Sequence, residues 1–238
     1  MSVHVQTPQT PLRVAVTGGT SGLGLALVRA FVGRGAKVAF VARTAGAVAA
    51  VAAETGAVGI VGDVARKDDI HRIALQVTAA LGGLDVLINN ASDLGPVPLA
   101  LLADTDCEDV ERALQTNLLG PFRLSKALLG ALAGAAREGR GGVIVNISSD
   151  AAVTPYETWG AYGASKAALR HLSQIWDAEL AGEGVRVLSL DPGDMDTPMH
   201  AAAIPGADRT ASQRPEEAAE GVIAATLSAL PAPEAMSP

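Results

Sequence analysis

The chain of 238 residues has one cysteine and few aromatic residues: two Trp, two Tyr and three Phe, 3% of the total. A single thiol cannot close an internal disulfide, so the sequence reads as a protein of a reducing compartment. Cys107 lies in the polar stretch ADTDCEDVERAL with no histidine beside it, which argues against a nucleophilic role. With so few rings, the core must be layered from Val, Leu, Ile and Ala, the bulk of the 49% of the chain that is hydrophobic. There is no basic excess. The formal net charge of -7 excludes general affinity for nucleic acid or an anionic membrane. No apolar run reaches the ~18 residues that point to a membrane span, and the N-terminal MSVHVQTPQTPLR lacks the hydrophobic segment of a secretory signal. A cytoplasmic protein is therefore expected. His4, His71, His171 and His200 are isolated from one another and form no metal-ligand spacing, so no metal is expected. No internal repeat is present, and the proline-rich ends, the first dozen residues and PAPEAMSP, read as frayed tails.

What is present is an uninterrupted alternation of apolar strands and alanine-rich helices, the pattern of an α/β protein. From Leu12, LRVAVTGGTSGLGLALVRAFVGRG reads as strand, glycine-rich turn and amphipathic helix ending at Gly33 or Gly35. Gly18, Gly22 and Gly24 allow a tight turn, close approach to a pyrophosphate and packing of helix on strand, with the helix N-terminus aimed at the anion. The strand KVAFVAR ends at Ala42 and Arg43. A carboxylate at such a strand end would bond a ribose 2′-hydroxyl and repel a 2′-phosphate. A guanidinium there instead favours NADP(H), with NAD(H) the lesser option. The other reading of Arg43 is a surface residue capping a strand. A helix from Thr44 to Thr55, the strand AVGIVGDV and a helix from Lys67 to Leu81 follow. Asp63, just past that strand, either holds an adenine amino group or caps the next helix. LDVLINNASDLG runs as a buried strand into Asn89, Asn90 and Ala91, whose amides could tie strand ends together. Asn117 lies among leucines in a long helical segment from Asp106 to Ala136, where an amide is either satisfied by water or bends the helix.

The stretch SDAAVTPYETWGAYGASK, Ser149 to Lys166, carries the chemistry. Tyr162 and Lys166 are four apart at the start of a helix, so they share a face. A nearby ammonium stabilises a phenolate and lowers a phenol that otherwise titrates near ~10. Ser149 ends the strand GVIVNISS, close to that helix start. Downstream, VRVLSLDPGDMDTPMH reads as a strand, a Pro-Gly turn and a loop, HAAAIPGADRTASQRP as a lid with little periodicity, and PEEAAEGVIAATLSAL as a last helix opened by Pro215. His200 in the lid reads as a solvated loop residue, with substrate contact the alternative.

Together, Thr17-Gly18-x-x-x-Gly22-x-Gly24, Asn89-Asn90-Ala91, Asn117, Ser149, Tyr162-x-x-x-Lys166 and Pro192-Gly193 resemble the short-chain dehydrogenase/reductase family over nearly the whole chain. The resemblance implies a single doubly wound Rossmann domain over residues 1–238, with a mostly parallel sheet of about six strands flanked by helices on both faces and a substrate lid around 194–214. It implies that Tyr162 is the general acid, that Ser149 orients the carbonyl, that Lys166 lowers the phenol and binds the nicotinamide ribose, and that Asn117 holds a water linking the lysine to solvent. Gly18, Thr20, Ser21, Gly22, Leu23 and Gly24 would surround the phosphates, Arg43 and Thr44 the 2′-phosphate, and Asp63 and Val64 the adenine. Asn90 and Ala91 would line the ribose side, and Pro192, Gly193, Met195 and Thr197 the nicotinamide with Tyr162 and Lys166. Ser92 stands where family members commonly have glycine and would narrow the entry near the nicotinamide; Asp191 replaces a more usual asparagine. The implied function is an oxidoreductase acting on a carbonyl or alcohol. The expected pocket walls, Ala151 to Trp159, Ser92 to Val97 and the lid from Asp194 to Arg214, with Tyr156, Trp159 and several small apolar residues, point to a small, uncharged substrate. The apolar outer positions of the helices carrying Asn117 and Tyr162 point to a homodimer or homotetramer. The alternative is a catalytically silent dinucleotide sensor or scaffold of the same fold, which would not need all four catalytic positions filled.

Overall fold

The computed structural model describes residues 10–206 and 212–231. Most of both expected tails, His4 and the middle of the expected lid lie outside the described residues.

Six strands form one parallel sheet: β1 (Arg13–Thr17), β2 (Lys37–Ala42), β3 (Val58–Val61), β4 (Val86–Asn89), β5 (Gly142–Ile147) and β6 (Val185–Leu190), in the order β3-β2-β1-β4-β5-β6. The strands are near-continuous Val, Ile, Leu and Ala because both faces are covered, as parallel sheets require. Side-chain alternation divides the core in two. Val14 and Val16 of β1 and Val86 and Ile88 of β4 pack with α1 (Gly22–Gly33), α2 (Ala45–Thr55) and α8 (Pro215–Ala229). Ala15 and Leu87 face the opposite way, toward α3 (Lys67–Leu81), α5 (Gly120–Arg137) and α6 (Gly160–Leu180). Among the described residues the remaining α-helices are α4 (Cys107–Leu114), which Cys107 opens as an exposed residue, and the short α7 (Pro198–Ala203). Among the described residues no helix is long and apolar enough to cross a membrane.

Chain order reverses direction between β1 and β4, so helices leave to opposite faces there and a crevice opens beyond the strand ends. The other end of the sheet is pinned by charge. Asp85, fully buried just before β4, accepts from Arg13 Nη2 at 2.7 Å and from Arg140 Nη2 at 2.6 Å. Burial acts to raise this carboxyl, and the bonds from Arg140 and Arg13 outweigh it, holding it below the usual carboxylate range.

Candidate active site

The glycine turn is held from beneath by the end of β4. Thr17 Oγ1 accepts from the N–H groups of Asn90 and Ala91, both at 3.0 Å. Asn90 Nδ2 donates to the carbonyls of Thr17 at 2.9 Å and Gly18 at 3.3 Å. The Asn90 side chain therefore braces the turn from within the lining of the same crevice. Gly18 adopts φ +70°, and a Cβ on Gly24 would lie 2.1 Å from the Gly18 carbonyl oxygen, so these glycines are demanded by the backbone path. Ser21 precedes α1 without capping it through its side chain, which leaves first-turn N–H groups and the positive dipole end directed at the crevice.

That crevice is a cavity of about 730 Å³, lined by every residue expected at the cofactor site: Gly18, Thr20, Ser21, Gly22, Leu23, Gly24, Arg43, Thr44, Asp63, Val64, Asn90, Ala91, Pro192, Gly193, Met195 and Thr197, with Tyr162 and Lys166. At its far end β2 stops at Ala42, and Arg43 follows exposed with no carboxylate beside it on the strand. Asp63 does not cap α3, whose N-cap is Arg66. Asp63 lines the cavity, and its Oδ1 accepts from Ala65 N at 3.0 Å to form the turn that leads into α3.

At the near end, Ser149 beyond β5 meets Tyr162 and Lys166 on α6. Lys166 is 2% exposed, and its Nζ donates to the Ile147 carbonyl at 2.8 Å. The same ammonium lies 5.5 Å from the Tyr162 ring centroid, while Trp159 meets that ring edge-on at 5.6 Å. Burial lowers the lysine to about 8. Burial also pushes the phenol up to about 12, assisted by the carboxylates of Asp191 and Asp150 and opposed by the hydroxyls of Ser149 and Ser92. The expected lowering of the phenol by the lysine is thus not a property of this geometry. The ammonium sits over the ring face and is engaged by a backbone carbonyl, and desolvation outweighs it.

Asn117 is fully buried in a π-helical segment, Gln115–Leu119, between α4 and α5. Its Oδ1 accepts from Asp93 N at 2.7 Å and Ser92 Oγ at 3.1 Å, and its Nδ2 donates to Asp93 O at 2.7 Å and Ser165 Oγ at 2.8 Å. All four hydrogen-bonding positions of the amide are filled. A water between Asn117 and Lys166 would have to be held by the backbone. The helix distortion foreseen for an amide among leucines is present as this π segment.

Sequence reasoning missed several supporting residues. Asp150 accepts from Ser149 Oγ at 3.0 Å and from Tyr156 Oη at 2.7 Å. Asn89 donates to Asn146 Oδ1 at 2.8 Å, and Asn146 to Ser173 Oγ at 2.9 Å, a buried network that joins the ends of β4 and β5 and anchors α6. The amides near Asn89 had signalled such a tie, but the serines carry no signal of their own.

The lid departs from a plain loop. Thr197 Oγ1 accepts from His200 N at 3.2 Å and caps α7, and Pro198 opens that helix where a loop was expected. Gln213 fastens the base, donating through Nε2 to the Pro192 carbonyl and bridging to Met195. His200 is consequently not a solvated loop residue. It is half-buried on α7 and lines the cavity, with a buried Nδ1 that has no hydrogen-bond partner among the described residues.

The comparisons agree with this geometry. The family model for short chain dehydrogenase matches residues 13–207. A short chain dehydrogenase of Pseudocercospora fijiensis is 35% identical over 208 residues, covering 84% of this chain and 64% of the relative. The 2,3-dihydro-2,3-dihydroxybenzoate dehydrogenase of Escherichia coli is 36% identical over 186 residues, covering 78% and 70%. The chain thus spans about two thirds of these relatives' own lengths. The crystal structure of a short chain dehydrogenase from Burkholderia cenocepacia in complex with NADP superposes with a TM-score of 0.78 at 28% identity, covering 90% of each chain. With the glycine turn, the Ser149, Tyr162 and Lys166 cluster and the sheet order all in agreement with that match, the chain belongs to the short-chain dehydrogenase family.

Proposed function

We propose that this chain is an NADP(H)-dependent oxidoreductase interconverting a small carbonyl and its alcohol. The observation that carries the reading is one continuous cavity with Ser149, Tyr162 and Lys166 at one end and the glycine turn and Arg43 at the other. The residues fit a dinucleotide. Gly18 and Gly24 leave no room for a Cβ where the turn must approach an anion, and α1 points its dipole there. When bound, the nicotinamide supplies the two-electron chemistry.

The chain's own groups then have distinct roles. Tyr162 Oη holds the proton that the substrate oxygen gains in reduction, and Ser149 fixes that oxygen beside it. Lys166 is anchored through Ile147, leaving its other two N–H donors for ribose hydroxyls. Leu94, Trp159, Met199 and Ile204 supply apolar wall, while Asp150, Asp191 and Asp194 line the same cavity. Three carboxylates disfavour an anionic substrate, so an uncharged ketone, aldehyde or secondary alcohol is the proposed class. A silent sensor would have no use for the intact acid-base set. The proposed assembly is a homodimer or homotetramer through α5 and α6, where Ile175 is exposed and Phe122 stacks on Trp176.

Fluorescence titration of NADPH and NADH on the wild type and Arg43→Ala tests the cofactor reading. Losing one charge-assisted phosphate contact should weaken NADPH by about 10- to 100-fold, with NADH changed less than about twofold. Equal weakening of both would refute the 2′-phosphate role. Turnover of carboxylated carbonyls alone in a substrate panel would refute the proposed substrate class.

A further inference from the structure

The catalytic end of the cavity continues sideways. A groove of about 400 Å³ adjoins it, and Ser92, Leu94 and Met199 line both. The junction lies at the reacting groups. Leu94 is buried with Tyr162 in an apolar cluster separate from the two sheet cores, and Met199 and Trp159 pack against that cluster. Met199, Ala202 and Ala203 recur at helical spacing on α7, so this short helix turns one apolar face onto it. On the oxidoreductase reading, the main cavity of about 730 Å³ has to take a dinucleotide as well as the substrate's reacting carbon. One drug-sized ligand alone fills a pocket of about 300–1,000 Å³. The rest of a substrate therefore needs other space, and the groove supplies it next to Tyr162.

Its apolar wall continues past Leu94 and Met199 to Val97, which is 56% exposed. A lone exposed valine needs no explanation, but this one extends a wall that begins in the active site. The opposite side is polar and already paired. Arg112 Nη1 meets Asp109 at 2.5 Å, its Nε meets Asp93 at 3.3 Å, and its Nη2 donates to the Gly95 carbonyl at 2.5 Å. Two carboxylates against one guanidinium leave this side with an excess of negative charge, so it does not invite an acid. The wall is also held in place. Asn117 bonds both the N–H and the carbonyl of Asp93 at 2.7 Å. Gly95, at φ +85°, lies so close to α6 that a Cβ on it would be 2.8 Å from Ala161 Cβ.

We propose that the groove is the subsite for the non-reacting arm of the substrate, and that this arm is an uncharged, unbranched apolar chain. It leaves the catalytic cavity between Leu94 and Met199 and lies along Val97. Met199 and Val97 are then specificity-determining residues: they act on how well a long substrate binds and leave the reacting end alone. The proposal deepens the oxidoreductase reading above and rests on it for the identity of the reacting end.

The chain has four methionines, Met1, Met195, Met199 and Met236. With their methyl groups labelled with carbon-13, Met199→Leu identifies the Met199 resonance. The full chain carrying Tyr162→Phe, which leaves an alcohol unreacted, is titrated with 2-butanol, 2-hexanol and 2-octanol, with and without NADP+. Affinity should rise about fourfold for each added methylene, the worth of burying one, and the longer alcohols should move the Met199 resonance. Val97→Asp should weaken 2-octanol by about tenfold and 2-butanol by less than about twofold. If that variant does not fold, Val97→Ser should show a smaller loss with the same selectivity. The carboxylate 6-hydroxyheptanoate should bind about tenfold more weakly than 2-heptanol, which has the same number of carbons. Affinity that does not grow with chain length in either condition, a Met199 resonance that no alcohol moves, or an equal loss for short and long alcohols at Val97 overturns the proposal, as does tighter binding of the acid. A wild type that oxidises none of these alcohols and reduces none of the matching ketones sinks the functional reading, while the titration still decides what the groove holds.

Discussion

Replacing Lys166 with methionine should make the protein more stable at neutral pH while ending its chemistry. The ammonium is 2% exposed and donates to the Ile147 carbonyl, and burial lowers it from the ordinary 10.5 to about 8. Below that folded value, the charged lysine costs about 3 kcal/mol relative to its neutral form, taking 1.36 kcal/mol per unit. Unfolding allows the group to bind a proton more readily, so from pH 8 to 10.5 the unfolded chain holds more protons and stability rises with pH. The cost shrinks to about 2 kcal/mol at pH 9 and below about 0.5 kcal/mol at pH 10.5. Methionine keeps the unbranched stem and loses the bond to Ile147, worth about 1 kcal/mol. Lys166→Met should therefore gain about 2 kcal/mol at pH 7 and lose that advantage by about pH 10. Urea unfolding of both proteins at a series of pH values measures this directly. Tyr162 acts oppositely, since its raised value makes stability fall as pH climbs from 10 toward about 12, so the series should stop near pH 10. A variant no more stable than wild type at pH 7, or a difference that does not vary with pH, would refute the argument from burial.

Tyr162→Phe should reduce kcat by about 10²- to 10⁴-fold, the usual contribution of a positioned acid, with coenzyme affinity in fluorescence titration changed less than about twofold. Asp85→Ala should cost about 3 kcal/mol in urea unfolding, because Arg13 and Arg140 lose the carboxylate that both of them bind. The sign with pH follows from the lowered carboxyl: Asp85's stabilisation is full above the unfolded carboxylate value and disappears as pH falls through the folded one. Wild type and Asp85→Ala should accordingly converge in stability on acidification, which unfolding at acid pH would check.

Sequence by itself determined whatever rests on neighbouring residues. The glycine turn, the alternation of strands and helices, and the pairing of Tyr162 with Lys166 on one helix face all follow from spacing within a turn or two. Helix α3 was legible to its boundaries, Lys67–Leu81, because Ile70, Ile73, Ala74, Val77 and Leu81 make one apolar stripe ended by Gly82 in the left-handed region. Tertiary structure decided what depends on residues distant in sequence. Asp85 and Arg140 are 55 positions apart, and Asn117 and Ser165 are 48 apart. Nothing in local periodicity indicates that a lysine will point its ammonium at a strand carbonyl, or that Ser92 will have its hydrogen taken by an amide from a π-helical segment. Chain spacing could place the phenol and the amine together. Which of them carries the proton is set by burial and by hydrogen-bond partners, and those exist only once the sheet has brought β4, β5 and α6 together.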